Sequence, residues 1–253
     1  MDLGLQGLKA LVTGGSKGIG LRCAELFAAE GADVAICARN AAEVETAVAA
    51  LRAKGVNAFG QAVDVADKAA LEGWVAASAA TLGGIDIVVA NVSALAVQDD
   101  EEAWRKGFET DLMHSVRLVN AAMPFLEASK SASITLISSV SGREIDFTGP
   151  AYGAFKAALV HYAQGLAFRL AGKNIRANTV SPGNTYFPGG IWQWIEQNNP
   201  KLFAEALALN PTGRMATPEE IARGVAFLAS PASSFTTGTN LVIDGALTRG
   251  VQL

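Results

Sequence analysis

Three residues in the second half of the chain have the types and spacing of a proton-transfer unit. Tyr152 and Lys156 are four apart in a helical stretch, so one helix face carries both. Ser139 closes an apolar run thirteen residues before Tyr152. A phenol beside an ammonium is stabilised as phenolate. It can then protonate a forming alkoxide, or deprotonate an alcohol, without an extreme pH. Ser139 can hydrogen-bond the same substrate oxygen, and Lys156 can also hold a nucleotide ribose. Tyr-x-x-x-Lys alone says little, so its meaning depends on the elements that hold it.

Those elements alternate. Apolar runs at 8–12, 34–37, 56–63, 85–90, 133–137, 175–180 and 241–243 read as strands. Helical patterns lie between them, at about 19–30, 41–54, 68–82, 101–127, 152–170 and 218–229, the long one bent or interrupted at Pro124. Strands alternating with helices through short connections predict an α/β fold, a doubly wound parallel sheet with helices on both faces. Residues 184–210, rich in Pro, Gly and Trp, break this rhythm. No linker, charge run or repeat divides the chain, so residues 1–253 are expected to form one domain with a long late segment at about 184–210.

The first strand runs into TGGSKGIG at 13–20, a glycine loop opening a helix. Gly14 suits the tight turn, Gly18 the approach of a pyrophosphate and Gly20 close helix–sheet packing. The helix N-terminus offers free amides to phosphate. No Gly-Lys-Ser/Thr follows four free positions, so this is not a nucleotide-hydrolase loop. The second strand ends in AICARN, where an acidic residue would hold the ribose hydroxyls of the unphosphorylated cofactor. Arg39 stands there instead, with Lys17 in the loop; two cations and no carboxylate suit a 2′-phosphate, which points to NADP(H). Asp64, after the third strand, can accept from the adenine amino group beside the Val65 backbone.

Composition closes off other classes. The 20 basic and 24 acidic residues give a net charge of −4, a poor surface for nucleic acid. Apolar residues make up 50% of the chain, but the runs are too short to span a membrane. Two histidines and two cysteines, widely spread, offer no metal site. Cys23 and Cys37 without a disulfide framework, and no charged leader before an apolar segment, predict a reduced cytoplasmic protein. Alanine, at 47 of 253 residues, suits helices packed closely on a sheet.

Taken together, TGGSKGIG, Asp64–Val65, Ser139, Tyr152 with Lys156, SPG at 181–183 and GTNLVIDGA at 238–246 resemble the classical short-chain dehydrogenase/reductase family over essentially the whole chain. The resemblance implies a seven-stranded sheet, NAD(P)(H), hydride transfer at a carbonyl or alcohol carbon, and a homo-oligomer, dimer or tetramer. Ser16 and Ile19 belong to its glycine motif, and Lys17 and Arg39 resemble its NADP(H)-preferring pattern. It also places Pro182 and Gly183 beside the nicotinamide, with the following segment closing over substrate. Two positions depart from the pattern. The family's Asn-Asn-Ala-Gly reads here as Ala90, Asn91, Val92, Ser93, which keeps Asn91 but loses the glycine. The Asn that completes the family's catalytic tetrad falls at Asp111, thirteen residues before Pro124. A carboxylate accepts from a water as an amide does, offers no donor, and favours charge on Lys156. The substrate wall is expected to include Ser141, Glu144, Phe147, Asn184, Trp192 and Trp194, the tryptophans forming an aromatic lid. A 3-oxoacyl-thioester reductase is one label for such an enzyme, and a sugar, steroid or other small ketone is equally allowed. Two further readings keep the fold: a dehydratase or epimerase, and a cofactor-binding regulatory or scaffold protein without turnover. His114 and His161 are expected to have no catalytic role, and His161, nine positions after Tyr152 and out of phase with it, to be structural.

Overall fold

Runs such as Leu11-Val12 and Ile134-Thr135-Leu136 have no polar face, so each strand needs cover on both sides, and the intervening helices supply it. The computed structural model describes residues 2–251. In chain order the elements are β1 (Lys9–Thr13), α1 (Gly18–Ala29), β2 (Asp33–Ala38), α2 (Ala41–Arg52), β3 (Ala58–Ala62), α3 (Lys68–Leu82), β4 (Ile87–Ala90) and α4 (Glu101–Gly107). There follow α5 (His114–Ala128), β5 (Ser133–Ile137), α6 (Pro150–Leu170), β6 (Arg176–Pro182), α7 (Ile191–Asn198), α8 (Pro200–Ala208), α9 (Pro218–Ala229) and β7 (Asn240–Ile243). The strands form one seven-stranded sheet of order β3-β2-β1-β4-β5-β6-β7, with every pairing parallel. This is the Rossmann-type doubly wound arrangement.

One face of the sheet is covered by α3, α5 and α6 through Trp74, Leu118, Leu126, Leu159 and Leu166. The other is covered by α1, α2 and α9 through Phe27, Val48, Ile221 and Val225. The chain reverses direction across the sheet at β1, whose neighbours are β2 and β4, and the crevice beyond the carboxyl ends of those strands is where such sheets bind ligands. Arg176, a cation inside the fold, is spent on the carbonyls that end α9, donating to Leu228, Ala229 and Ser230. Among the described residues, no helix is long and apolar enough to cross a membrane.

One local expectation changes. Pro124 lies within α5, and the long helical region is interrupted earlier, at a π-helical turn over Phe108–Met113. Such a turn inserts a residue and re-aims its side chains, and here it buries Asp111. The segment 184–210 that breaks the strand–helix rhythm holds two helices in succession, α7 and α8, the latter capped by Asn199, whose side chain accepts from the amide of Leu202, with Pro200 at the first turn. Its Trp192, Ile195 and Ala206 form a small separate core with Met215 from just beyond it.

Candidate active site

Helix α6 brings Tyr152 and Lys156 to the carboxyl end of β5. The turn that follows β5 carries Ser139, and it packs hard on the helix. The Ser138 hydroxyl donates to the Lys156 carbonyl at 2.7 Å, and a Cβ at Gly153 would lie 2.7 Å from the Ser141 carbonyl oxygen. Lys156 is buried, with its ammonium 5.6 Å from the centroid of the Tyr152 ring. Nζ donates to the Ile137 carbonyl at 3.1 Å and lies 3.1 Å from Oδ1 of Asp111. Both charged side chains are only 2% exposed. Oδ2 of Asp111 accepts from the Ala94 amide at 3.0 Å; Oδ1 sits off the line of a hydrogen bond to Lys156 and keeps unspent acceptor capacity. Burial pushes the Lys156 ammonium towards its neutral form, but the charges of Asp111 and Tyr152 outweigh it and raise its pKa above the usual value.

The glycine loop has the features of a phosphate seat. Lys17 is the N-cap of α1 and makes no side-chain cap, so the first-turn amides keep their donor capacity. Gly18 has φ +56°, and a Cβ there would meet the Phe187 ring at 2.6 Å; a Cβ at Gly20 would collide with the Gly14 carbonyl oxygen. Asn91 holds the loop from β4, its Nδ2 donating to the carbonyls of Thr13 at 3.1 Å and Gly14 at 3.4 Å. Ile19 packs into the core beneath. Lys17 and Arg39 are exposed and, among the described residues, make no ion pair. The Ser16 hydroxyl donates to Glu43 at 3.0 Å. Asp64 is exposed, and its Oδ1 accepts from the Ala66 amide, with Val65 buried beside it. Ser93 stands where the family has glycine, its hydroxyl accepting from the amide of Leu95, which takes a positive φ of 48°. Uncapped first-turn amides and two exposed cations fit a phosphorylated dinucleotide, while the Phe187 ring lies over Gly18.

The expected substrate wall is only partly assembled. Phe147 packs edge-on against Trp192, with centroids 5.6 Å apart, and Trp192 in turn meets Phe203. Trp194 points elsewhere and is 59% exposed, because residues two apart on a helix face nearly opposite directions. The pair is therefore not a two-tryptophan lid. Glu144 is engaged with the C-terminal segment, its Oε1 accepting from the amides of Arg249 at 3.0 Å and Gly250 at 2.9 Å. Asn184 is tied through its carbonyl to the Ala216 amide, and Pro182–Gly183 end β6, where the Gly183 amide donates to the Ile243 carbonyl. Ser141 stays beside Ser139.

A family model described as enoyl-(acyl carrier protein) reductase matches residues 14–248, and the solved structures that superpose on the chain include short-chain dehydrogenases and reductases. The chain belongs to the short-chain dehydrogenase/reductase family. As a member it is an oxidoreductase that passes hydride between a nicotinamide and a carbonyl or alcohol carbon. It is similar to isoepoxydon dehydrogenase of Penicillium expansum, at 40% identity over 256 residues that cover 100% of this chain and 99% of that protein. L-sorbose reductase from Gluconobacter frateurii, solved with NADPH and L-sorbose, superposes with a TM-score of 0.91 at 30% identity, covering 99% of this chain and 100% of that one. A NAD+-bound xylitol dehydrogenase gives 0.88 at 28% identity, covering 96% and 99%.

Four residues near the site of this short-chain dehydrogenase/reductase have contacts that sequence reasoning does not assign: Thr13, His114, Asp146 and Phe187. His114 is fully buried on α5. Its Nδ1 lies 3.0 Å from the Thr110 carbonyl and its Nε2 3.0 Å from the Thr13 hydroxyl. The Asn91 amide donates to the same hydroxyl at 3.1 Å. With Nδ1 protonated, the imidazole bridges the π-helical turn, the end of β1 and the end of β4. Burial lowers the His114 pKa to about 4, outweighing the Thr110 hydrogen bond and the charge of Asp111. A histidine kept neutral by folding stabilises fully above its ordinary pKa of about 6.5, and that stability drains away as pH falls from there to about 4. Urea unfolding should therefore lose about 3 kcal/mol of stability from this residue across that window. His114→Asn should flatten the acid limb; equal acid sensitivity in both proteins would show that His114 does not set it. Cys23 and Cys37 are buried thiols with pKa values pushed up by desolvation, Cys37 to about 12, and are chemically quiet.

Proposed function

We propose that this chain reduces a ketone to a secondary alcohol with NADPH, and runs the reverse reaction with NADP+, using Tyr152 as proton donor and acceptor. The meeting of Tyr152, Ser139 and the buried Lys156–Asp111 pair at the carboxyl end of β5, two strands from β1, which feeds the glycine loop, carries this reading. When bound, the nicotinamide supplies or takes the hydride. The protein's part is to position and to move one proton. Tyr152 gives its phenolic proton to the substrate oxygen as charge develops there, and takes one from an alcohol in the reverse direction. Lys156, fixed by Ile137 and Asp111, places a positive charge beside the ring. Ser139 hydrogen-bonds the same substrate oxygen, and Asp111 takes the place of the family's asparagine as acceptor behind the lysine.

The cofactor is NADP(H). The α1 amides with Gly14, Ser16, Gly18, Ile19 and Gly20 would form the diphosphate seat, and Lys17 and Arg39 would hold the 2′-phosphate. Asp64 and Val65 receive the adenine, Asn91 braces the turn, and Lys156, Pro182 and Gly183 border the nicotinamide half. Arg39→Ala should weaken NADPH binding roughly 10- to 100-fold, the loss of a charged hydrogen bond. NADH should change less than threefold. NADH binding more tightly than NADPH in the unmodified protein would overturn the assignment.

The chain works as one catalytic domain, with 184–210 forming the substrate-side cover through Trp192 and Phe147. We read it as a homo-oligomer: Trp104 and Phe108 are exposed on α4 and the π-helical turn, stacked about Phe155 of α6, and a second copy would cover them. The two free, buried thiols suit a reducing cytoplasm. The deciding experiment titrates NADPH and NADH and then follows nicotinamide absorbance with a panel of ketones and alcohols. Tight cofactor binding with no turnover on any of them would mark a binding protein instead.

A further inference from the structure

The hydrogen bonds around Ser139 have a direction that can be worked out. Ser139 Oγ accepts from the Ser141 amide at 3.1 Å and lies 3.2 Å from the Ser141 hydroxyl oxygen. The Ser141 hydroxyl in turn contacts Oδ2 of Asp146 at 2.5 Å. The other Asp146 oxygen is occupied, accepting from the Thr148 amide at 2.9 Å and the Thr148 hydroxyl at 2.6 Å. A carboxylate only accepts, so the one proton of Ser141 belongs to Asp146. Ser141 is then the acceptor in its contact with Ser139, and the proton of Ser139 points at Ser141. While it does, Ser139 has nothing to donate to a substrate carbonyl.

We propose that Ser141 and Asp146 form a hydroxyl-recognising subsite that selects substrates carrying a hydroxyl on the carbon next to the reacting carbonyl. These are 1,2-hydroxyketones in reduction and vicinal diols in oxidation. The inference rests on the carbonyl-reductase reading given above and names its substrate class. The two oxygens of a 1,2-hydroxyketone are about one hydrogen-bond length apart, ~2.8 Å, close to the 3.2 Å between the serine oxygens. The substrate hydroxyl replaces Ser139 as donor to Ser141, and the Ser139 proton turns to the carbonyl oxygen. A plain ketone must break the Ser139–Ser141 bond with no group to take its place. The reaction balances as hydroxyketone plus NADPH plus a proton giving diol plus NADP+: hydride goes to the carbonyl carbon, the Tyr152 proton goes to its oxygen, and the neighbouring hydroxyl is unchanged. Asp146 is exposed, so water softens the selection, which is expected at about 10- to 50-fold rather than the 10⁴ of a sealed polar pocket.

The test compares acetoin with butan-2-one, a matched pair differing by that hydroxyl, using the full chain and NADPH. The unmodified enzyme should favour acetoin in kcat/KM by about 10- to 50-fold. Ser141→Ala removes the acceptor. Asp146→Asn places an amide donor against Ser141, so the Ser141 proton is released and the relay can reverse. In both variants the acetoin-to-butan-2-one ratio should fall below about threefold, with acetoin slower and butan-2-one about fivefold faster. A merely structural role would lower both substrates together and leave the ratio intact. An unchanged ratio, a parallel loss, or no preference in the unmodified enzyme would overturn the subsite while leaving the reductase reading standing. No NADPH oxidation with either compound or with the wider ketone panel would instead remove the reductase reading, and the subsite with it.

Discussion

Tyr152→Phe is expected to lower kcat/KM about 10³-fold while leaving the NADPH dissociation constant within about twofold. A positioned general acid typically contributes 10²- to 10⁴-fold, and Tyr152, the acid proposed above, shares a helix face with the fixed ammonium of Lys156. Phenylalanine keeps the ring, its packing and its place 5.6 Å from Nζ, and removes only the hydroxyl. The loss should therefore fall on kcat, since the interaction matters most as charge develops on the substrate oxygen. Stopped-flow reduction together with fluorescence titration of NADPH measures both quantities. A loss below about tenfold would mean that another group transfers the proton, and the assignment of Tyr152 would fail.

Asp111→Asn should separate stability from turnover. The Asp111–Lys156 pair is buried on both sides, and removing one partner of such a pair leaves a desolvated charge behind, a cost of about 3 kcal/mol at neutral pH. The asparagine keeps one oxygen, which can still accept from Ala94, and it restores the residue the family has at this position, so kcat should stay within about tenfold. The sign of the pH effect follows from Lys156, whose pKa is raised in the folded protein. The stability the pair contributes is fully present below the unfolded value of about 10.5 and is lost as pH rises through the folded one. The gap between the two proteins should thus be wide at pH 7 and narrow in strongly alkaline urea. A turnover loss above about 100-fold, or about 2.7 kcal/mol of barrier, would show that the carboxylate does more than stand in for the amide.

Much of the fold is legible in the sequence because its signals are local. Parallel strands buried on both faces are short apolar runs, and glycine or a capping side chain marks most helix ends: Asn40, Asp67 and Thr217 cap α2, α3 and α9. The pairing of Tyr152 with Lys156 is equally local, since a four-residue step on a helix leaves no freedom about which face they share. The π-helical turn is not legible in this way. Nothing in Phe108-Glu109-Thr110-Asp111 distinguishes it from ordinary helix, and the extra residue is held there by the Ala94 amide and Lys156 reaching Asp111 from other elements.

Spacing within short stretches, then, is enough to specify the alternating α/β order, the glycine loop with its two nearby cations, and the Tyr152–Lys156 unit. Choices that depend on residues far apart in the chain are made only when the helices close on the sheet. Trp192 is taken inward and Trp194 left in solvent, though both lie in one short motif. Glu144 is drawn to backbone amides more than a hundred positions away, and His114 to a threonine at a similar distance. The direction of the Ser139 proton likewise depends on how the turn before α6 folds back to place Asp146. In each case a buried or converging polar group takes whichever partner the packing brings within hydrogen-bond reach, and sequence spacing carries no record of that partner.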